Sequence, residues 1–511
     1  MSANLSLENL SLNQKINSGG YEISLGFNKK KKLYKLRVKS LTGARHFAEH
    51  YFFTVIDDNG IHIETRPITP AVSNLLIENI VAKGETAGFS IYLSDIEQNK
   101  ITKKTLKVNP ENVRHILTKE EKNYTSTGSK LNNHWPIFKK LSETGFGSII
   151  RATMTLHQVC SSRCQYCSTI SRNKKDSISL DEAKNFVLDL YEKQASFNKK
   201  NFAEYNDLYK ELTGSDIRLR GLILSGGGQP NLWPHFEEFV EWLSQFDIDL
   251  GLITNGFPKR INDEIYSKFK WVRLSITPED ASAHYLNGEF NQQRVPELLK
   301  NNSDVTFGLS YVYGPWTDDD ILKRLNKSIS QWGVDYIRML TDCNLARNDQ
   351  LSAHRSLSDR LFSMGYIDDK GNPRSKFFHQ LKYHGTSKEA DSLWDEGQCF
   401  LQSYNVFWDT TGHEDNGFSF CYACDSITVL AEEDLNSIGS ERRFNSDKWG
   451  TVKNINVEEL YKLKMKPFFD PREVCTACLF MKNNQSVKNL INSSSYDNLS
   501  IESYSEHVNF P

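Results

Sequence analysis

Hydrophobic and polar residues alternate along the first part of the chain, from about residue 20 to residue 108. Tyr34, Leu36 and Val38 are separated by single charged residues, a period of two that is typical of strands with one buried face. The sequence Asp-Asn-Gly at 58–60 is a hairpin signal between an apolar run at 52–56 and the alternating positions Ile61 and Ile63. Residues 1–147 are therefore predicted to form a β-rich domain, whose last part, 119–147, is a linker with a short helix.

From about residue 148 the pattern changes to short apolar runs that alternate with longer amphipathic segments. A helix is predicted to begin near Ser179, where Glu182 completes a capping box, and another is predicted over 234–246. Residues 194–216 are an additional charged and aromatic segment, and residues 346–395 are a polar linker or insertion. Six strands are predicted, at 148–155, 219–224, 248–254, 271–276, 305–311 and 336–340. Strands that alternate with helices in this way indicate an α/β fold with a parallel sheet.

Composition and charge narrow the function classes. A chain of 511 residues is too long for a single core, and 38% hydrophobic with 25% charged residues is typical of a folded globular protein. The net charge of -2 excludes the strongly basic footprint of a nucleic-acid binder. The first residues resemble no secretory signal, and no apolar run approaches the roughly 20 residues of a membrane span. We therefore expect a cytoplasmic protein that does not enter a membrane.

Eight of the nine cysteines fall into two groups. None precedes Cys160, three lie within the eight residues that begin there, and five lie between Cys399 and Cys478. In a reducing compartment, closely spaced cysteines are metal ligands or redox centres rather than disulfides. Cys343 stands alone, and we interpret it as a buried thiol at the end of a strand.

The first group has the spacing C-x3-C-x2-C and directly follows a predicted strand. Three thiolates on one tight loop, those of Cys160, Cys164 and Cys167, can converge on one face of an iron–sulfur cube because soft sulfur ligands match iron. Without a fourth cysteine, one iron has no protein ligand, and an external bidentate molecule can bind there. Three cysteines of this spacing can also bind zinc.

This motif, with Tyr166 before the third cysteine, resembles the signature of the radical S-adenosylmethionine (SAM) superfamily. The resemblance implies a partial (β/α)6 barrel at 148–345 and a 4Fe–4S cluster whose open iron binds SAM. It also implies reductive cleavage of SAM to a 5′-deoxyadenosyl radical, with a reducing partner such as flavodoxin or ferredoxin. Such an enzyme is an oxidoreductase that begins by abstracting hydrogen from its substrate.

Two downstream features extend the resemblance. The glycine run after the second strand occupies the position of a Gly-Gly-Glu type motif that contacts the SAM amino group, although Gln229 replaces the usual Glu. A neutral side-chain carbonyl accepts a hydrogen bond from an ammonium more weakly than a carboxylate does. Ser275, in the fourth strand, corresponds to a hydroxyl that contacts the SAM ribose. The cofactor-binding residues implied by the resemblance are Tyr166, Gly226, Gly227, Gly228, Gln229 and Ser275.

The second cysteine group resembles the twitch and SPASM extensions of that superfamily, which carry auxiliary 4Fe–4S clusters. It consists of Cys399, Cys421, Cys424, Cys475 and Cys478. Five cysteines fit a single-cluster, twitch-like domain at 396–485, followed by a tail at 486–511. The ligands would be Cys399, Cys475, Cys478 and either Cys421 or Cys424, and the alternative for the two C-x2-C pairs is structural zinc. By the same resemblance Asp425 takes a proton from a substrate radical, and the alternative is a solvated turn residue.

These motifs specify chemistry more than substrate. We favour oxidative modification of a peptide or protein side chain, as in the maturation of a ribosomally made peptide. In this hypothesis the β-rich N-terminal domain recognises an extended peptide. The alternatives are a dehydrogenase or epimerase of a sugar, cyclitol or nucleoside, and a zinc-stabilised binding protein without catalysis.

Overall fold

The structure of the protein is a computed structural model. It describes residues 15–18, 21–28, 33–40, 51–57, 62–68, 74–80, 88–94, 100–107, 124, 128–162, 164, 166–167, 173–256, 262–276, 294–342, 345, 347–367, 373–380, 399–410, 420–422, 452–453, 480–493, 496 and 507–511. The chain forms two compact units, Met1–Glu121 and Lys122–Pro511.

The first unit is built from antiparallel strands. They are β1 (Lys15–Ser18), β2 (Tyr21–Asn28), β3 (Leu33–Ser40), β4 (Tyr51–Asp57), β5 (His62–Ile68), β6 (Asn74–Ile80), β7 (Gly88–Ser94) and β8 (Lys100–Lys107). One sheet has the order β1-β2-β3-β6 and the other the order β5-β4-β7-β8. β4 and β5 pair antiparallel on either side of residues 58–60. The predicted β-rich character and the predicted hairpin are therefore confirmed.

A ten-stranded sheet lies at the centre of the second unit. Its strands are β9 (Arg151–Thr155), β10 (Gly221–Ser225), β11 (Asp249–Thr254), β12 (Trp271–Ser275), β13 (Thr306–Tyr313), β14 (Tyr336–Thr341), β15 (Phe377–Gln380), β16 (Asn405–Asp409), β17 (Phe420–Tyr422) and β18 (Val452–Lys453). Their order is β15-β14-β13-β12-β11-β10-β9-β16-β17-β18. The first eight strands in this order are parallel, and the last two pair antiparallel. In its described part the sheet is open, with β15 and β18 at its edges. The predicted α/β class and all six predicted strands are confirmed, whereas β15 and the parallel position of β16 were not predicted.

Helices cover one face of this sheet. The α-helices in the described part of the second unit are α1 (Trp135–Thr144), α2 (Leu180–Leu188), α3 (Gln194–Asn201), α4 (Ala203–Thr213), α5 (Phe236–Leu243), α6 (Arg294–Asn301), α7 (Asp319–Trp332), α8 (Arg347–Ser363) and α9 (Met481–Ile491). Side chains from α2, α5, α6, α7 and α8 pack into one core with alternate residues of the strands, such as Leu222, Leu274 and Leu309. The predicted capping box of Ser179 and Glu182 is present at the start of α2. No described helix combines the length and apolar composition that crossing a membrane requires.

The opposite face of the parallel sheet, which we call the inner face, carries the other alternate residues. At the N-terminal ends of the strands it is covered by residues 507–511. Phe510 packs against Ile223 and Trp271, and the Asn509 side chain donates a hydrogen bond of 2.8 Å to the Asp249 carboxylate. A Cβ atom on Gly221 would lie 2.3 Å from the Asn509 carbonyl oxygen. This end of the inner face is therefore closed by the chain itself.

A buried lysine lies behind the start of β9. Lys140 of α1 is 0% exposed, and its Nζ donates to the Gly147 carbonyl at 3.0 Å, to Ser148 Oγ, and to Asn198 Oδ1 at 2.7 Å. Since no carboxylate is among these partners, burial lowers the pKa of Lys140 to about 7.

This shift predicts a pH dependence of stability. An unfolded lysine holds its proton up to its ordinary pKa of about 10.5, so between pH 7 and 10 the unfolded state binds more protons than the folded state, and stability rises with pH. The slope from one such group is at most about 1.4 kcal/mol per pH unit. We expect the free energy of unfolding of the wild type minus that of Lys140→Met, measured by urea denaturation, to increase from pH 7 to pH 9. Lys139→Met, on the same helix, is the control and should show no such increase. A difference independent of pH would contradict the assignment.

Candidate functional site

The first cysteine group lies at the carboxyl edge of the parallel sheet. β9 ends at Thr155, and Cys160 follows five residues later. The loops after β10 and β11 end beside the same segment, as their hydrogen bonds to it show. In open α/β sheets, ligands bind outside the carboxyl ends of the strands. The sheet thus places the cysteine loop where such a fold offers a binding site.

The segment that leads into Cys160 is held by the loop after β10. The Gln229 backbone N–H donates to the Val159 carbonyl at 2.6 Å, and His157 Nε2 lies 2.6 Å from the Gln229 carbonyl. Burial is the main cause that lowers the pKa of His157, opposed by this hydrogen bond. Because a carbonyl can only accept, the neutral ring donates from Nε2. One backbone–backbone hydrogen bond and one bond from a side chain to a backbone carbonyl therefore join the two loops.

Glycine is required in this contact. A Cβ atom on Gly227 would lie 1.7 Å from Gln158 Oε1, and one on Gly228 would lie 2.4 Å from the Val159 carbonyl oxygen and 2.6 Å from that of His157. The resemblance implied that these glycines bind the cofactor. In the structure the space beside them is filled by the chain that carries Cys160.

Gln229 joins the ends of β10 and β11. It is 3% exposed, its Oε1 accepts from the Asn255 backbone N–H at 2.9 Å, and its Nε2 donates to Asn231 Oδ1 and Thr254 Oγ1. One lone pair of Oε1 is therefore used inside the protein. A contact between Gln229 and the SAM amino group stays a prediction.

Asn255 connects the end of β11 to the cysteine loop. Its Nδ2 donates to Ser161 Oγ at 3.1 Å and to Ser162 Oγ at 2.9 Å, and all three residues are buried. Sequence reasoning did not assign these residues to the site. The available signal was the polar sequence Thr-Asn-Gly at 254–256, directly after a buried strand.

Cys160, Cys164 and Cys167 are all partly exposed. Cys160 Sγ accepts a hydrogen bond from the Ser162 backbone N–H at 3.4 Å, and the Cys167 N–H donates to the Cys164 carbonyl at 3.0 Å, which forms a turn. Within the described part of the chain, no three His, Cys, Asp or Glu side chains are grouped to hold one metal ion. As partly exposed thiols, the three donors suit an iron–sulfur cluster. Their sulfur atoms are not close enough together to hold one metal ion.

The other predicted cofactor residues lie at the same edge. The Tyr166 ring packs against Trp316 with centroids 5.5 Å apart, which ties the cysteine loop to the end of β13. Ser275 is the last residue of β12, pairs with Ser310 and is half-buried. The structure thus brings Tyr166, the glycine loop and Ser275 to one edge of the sheet.

The second cysteine group is described in part. The thiol of Cys399 lies 4.0 Å from Asn484 Oδ1, which also accepts a 2.9 Å hydrogen bond from the Phe400 N–H. Burial raises the pKa of the Cys399 thiol. The backbone of Cys421 pairs with Trp408 of β16. Cys343, Cys424, Asp425, Cys475 and Cys478 lie outside the described residues.

Comparison with known proteins gives distant likenesses of fold. No protein-family model and no curated protein sequence matches this chain. Among solved structures, SuiB of Streptococcus suis bound to S-adenosylmethionine is 11% identical, with 65% of this chain and 69% of that chain covered and a TM-score of 0.41. BtrN in complex with AdoMet and 2-DOIA is also 11% identical, with coverages of 70% and 97% and a TM-score of 0.29. Likenesses at this level do not assign a function.

The glycine contact predicts that Gly228→Ala destabilises the protein more than Gly226→Ala does. In Gly228→Ala the new methyl group meets two backbone oxygens that cannot rotate away, so we expect a loss of about 1–3 kcal/mol in the free energy of unfolding. Gly226→Ala is the matched control, since its Cβ would be no closer than 3.2 Å to the Thr155 side chain. Thermal denaturation should show a clearly lower midpoint for Gly228→Ala than for Gly226→Ala. Equal midpoints would mean that the two loops are not in this contact.

Proposed function

We propose that this protein is a radical SAM enzyme in which Cys160, Cys164 and Cys167 hold a 4Fe–4S cluster. One observation carries the proposal: three partly exposed cysteines with C-x3-C-x2-C spacing lie on the loop after β9, at the carboxyl edge of the open parallel sheet in the described residues. When bound, such a cluster supplies the electron that cleaves SAM to a 5′-deoxyadenosyl radical.

The chain's own residues would bind and orient these groups. The Ser162 N–H donates a hydrogen bond to the Cys160 sulfur and would orient it toward the cluster. The second lone pair of Gln229 Oε1 is the acceptor we assign to the SAM amino group, and Ser275 is the hydroxyl we assign to its ribose. Tyr166, packed on Trp316, fixes the residue before the third cysteine. A reducing protein such as flavodoxin or ferredoxin would supply the electron.

An auxiliary 4Fe–4S cluster on the second cysteine group is part of the proposal. Cys399 packs against the same apolar cluster as Phe480, which follows Cys478 by two residues in the sequence. The Cys399 thiol also lies near Asn484, in the first turn of α9.

The strand register favours Cys424 over Cys421 as the fourth ligand. Cys421 pairs with Trp408, about 10 Å along β16 from Asn405, whereas Cys399 precedes that strand. Because β17 is antiparallel to β16, the chain runs from Cys421 back toward the start of β16. Asp425 directly follows Cys424 in the sequence, and we assign to its carboxylate the proton of a substrate radical.

Cysteine variants test this division of labour. After anaerobic reconstitution, Cys160→Ala, Cys164→Ala and Cys167→Ala should each abolish SAM cleavage, measured as 5′-deoxyadenosine, and the effect of SAM on the electron paramagnetic resonance signal of the reduced cluster. Cys475→Ala, Cys478→Ala and Cys424→Ala should lose the iron and sulfide of one cluster and keep part of SAM cleavage without product. Cys421→Ala is the matched control and should keep both clusters. Folded wild-type protein that is colourless and contains zinc without acid-labile sulfide would exclude an enzyme of this class and favour a zinc-stabilised binding protein.

For the substrate, we favour a peptide or protein side chain. Among the described strands of the first unit, β1, β6, β5 and β8 lie at sheet edges. An edge strand offers backbone N–H and C=O groups to an extended peptide. Lysines disfavour such pairing at β8, KITKKTLK, whereas β6, NLLIENI, is apolar. The number of cysteines in the second group, five rather than seven, instead favours the alternative, a dehydrogenase or epimerase of a small sugar, cyclitol or nucleoside.

Binding separates the two substrate classes. If the substrate is a peptide, the full-length protein should bind a precursor peptide encoded next to its gene, measured by fluorescence anisotropy. Replacing Ile77 in β6 with Pro should weaken that binding, because proline cannot donate to a strand ladder. Proline in place of Thr102 in β8 is the control. Turnover of small alcohols with no affinity for any such peptide would favour the small-molecule enzyme.

A further inference from the structure

Arg273 occupies the middle of the inner face. Its neighbours Val272 and Leu274 belong to the core beneath the helices, so the alternation of side chains along β12 directs Arg273 to the other side. In the register of the sheet it lies opposite Gly308 of β13, which in turn lies opposite Tyr336 of β14. It is two residues, about 7 Å, from Ser275 at the carboxyl edge of the sheet.

Aromatic rings hold this arginine in place. Its Nε donates to the Tyr336 hydroxyl at 3.1 Å, and the guanidinium carbon lies 5.2 Å from the Trp271 ring centroid and 5.8 Å from that of Tyr336. Such cation–π contacts orient a guanidinium without neutralising it.

Two glycines make this arrangement possible. A Cβ atom on Gly308 would lie 2.0 Å from the Tyr336 ring, and one on Gly251 would lie 2.3 Å from the Trp271 ring. The two rings therefore lie across neighbouring strands, in space that any other residue would fill. We call Gly251, Trp271, Arg273, Gly308 and Tyr336 the arginine cradle.

The charge of Arg273 has no counterion in the part of the chain that the structure describes. Among the described residues it forms no ion pair, in contrast to Arg218, Arg220 and Arg360, which pair with Asp216, Asp247 and Asp319. The inner-face carboxylate nearest the starts of the strands, Asp249, is bound by Asn509. A half-buried guanidinium gains when an anion reaches it, and its planar fork matches the two oxygens of a carboxylate or a phosphate.

We propose that Arg273 binds an anionic group of the substrate, a carboxylate or a phosphate, on the inner face of the sheet. Phe510, against Trp271, closes the inner face on the far side, so the anion enters from the edge that carries Cys160. The rest of the substrate would then extend from the arginine cradle toward that edge. The position assigned to the reacting part of the substrate rests on the proposed function, whereas the anion site at Arg273 does not depend on it.

The experiment measures anion binding to the full-length protein by NMR, with inorganic phosphate and acetate as separate probes. The wild type should bind at least one of them, and the stronger of the two identifies the anion. Arg273→Gln should weaken that binding at least tenfold, and Tyr336→Phe, which keeps the charge and removes the hydroxyl partner, should weaken it a few-fold. Arg355→Gln, at an exposed arginine of α8, is the control and should bind as the wild type does.

Three results would overturn the proposal: a wild type that binds neither probe, an Arg273→Gln protein that binds as tightly as the wild type, and an equal loss in Arg355→Gln. A fourth comes from SAM cleavage without substrate. If Arg273→Gln loses this reaction in parallel with anion binding, the arginine serves the SAM carboxylate instead. A wild type without cluster or SAM cleavage would refute the proposed function and leave the anion-binding result to stand by itself.

Discussion

The site depends on the close contact between two backbone segments, 157–159 after β9 and 226–229 after β10. A backbone hydrogen bond of 2.6 Å, a second hydrogen bond from the His157 side chain, and glycines without room for a Cβ atom bring these segments together. Contacts between backbone atoms do not depend on side-chain rotamers, so they fix the start of the cysteine loop more firmly than side-chain packing would. A loop that presents three sulfur atoms to one cluster must have a fixed starting position, because the geometry of a site depends on the residues that support it.

β9 also connects the first cysteine group to the second. On its other side it pairs with β16, which follows Cys399. Gln158, two residues before Cys160, donates to Asp409 Oδ1 at 3.3 Å and to Thr410 Oγ1 at 3.1 Å, and Thr155 accepts from the Thr410 N–H at 2.8 Å. A displacement of β16 would therefore be transmitted to the residues that carry Cys160. The two cysteine groups share one support, although they are about 240 residues apart in sequence.

The six central strands were predictable because strands of a parallel sheet are buried on both faces and appear as continuous apolar runs. The pairing of β16 was not, since strand 405–409 reads equally well as one arm of an isolated hairpin. Residues 507–511, HVNFP, show no periodicity that would place them in the sheet. The cysteine spacing and the glycine run identified the region of the site. The partners of Gln229 and Asn255 were not predictable, because they join loops after different strands, and such contacts leave no local pattern.

The polarity of the inner face changes along the strands. At their N-terminal ends, Phe510 and Trp271 form an apolar closure, and at their carboxyl ends Ser275 and Ser310 present hydroxyl groups. Arg273 lies between them. Because the closure excludes water from one side, the field of the guanidinium is less screened there than it would be at the surface. An anion can approach Arg273 only from the open side, where the cysteine loop lies. The apolar closure therefore strengthens the attraction of a charged ligand and also makes the rest of that ligand point toward the cysteine loop.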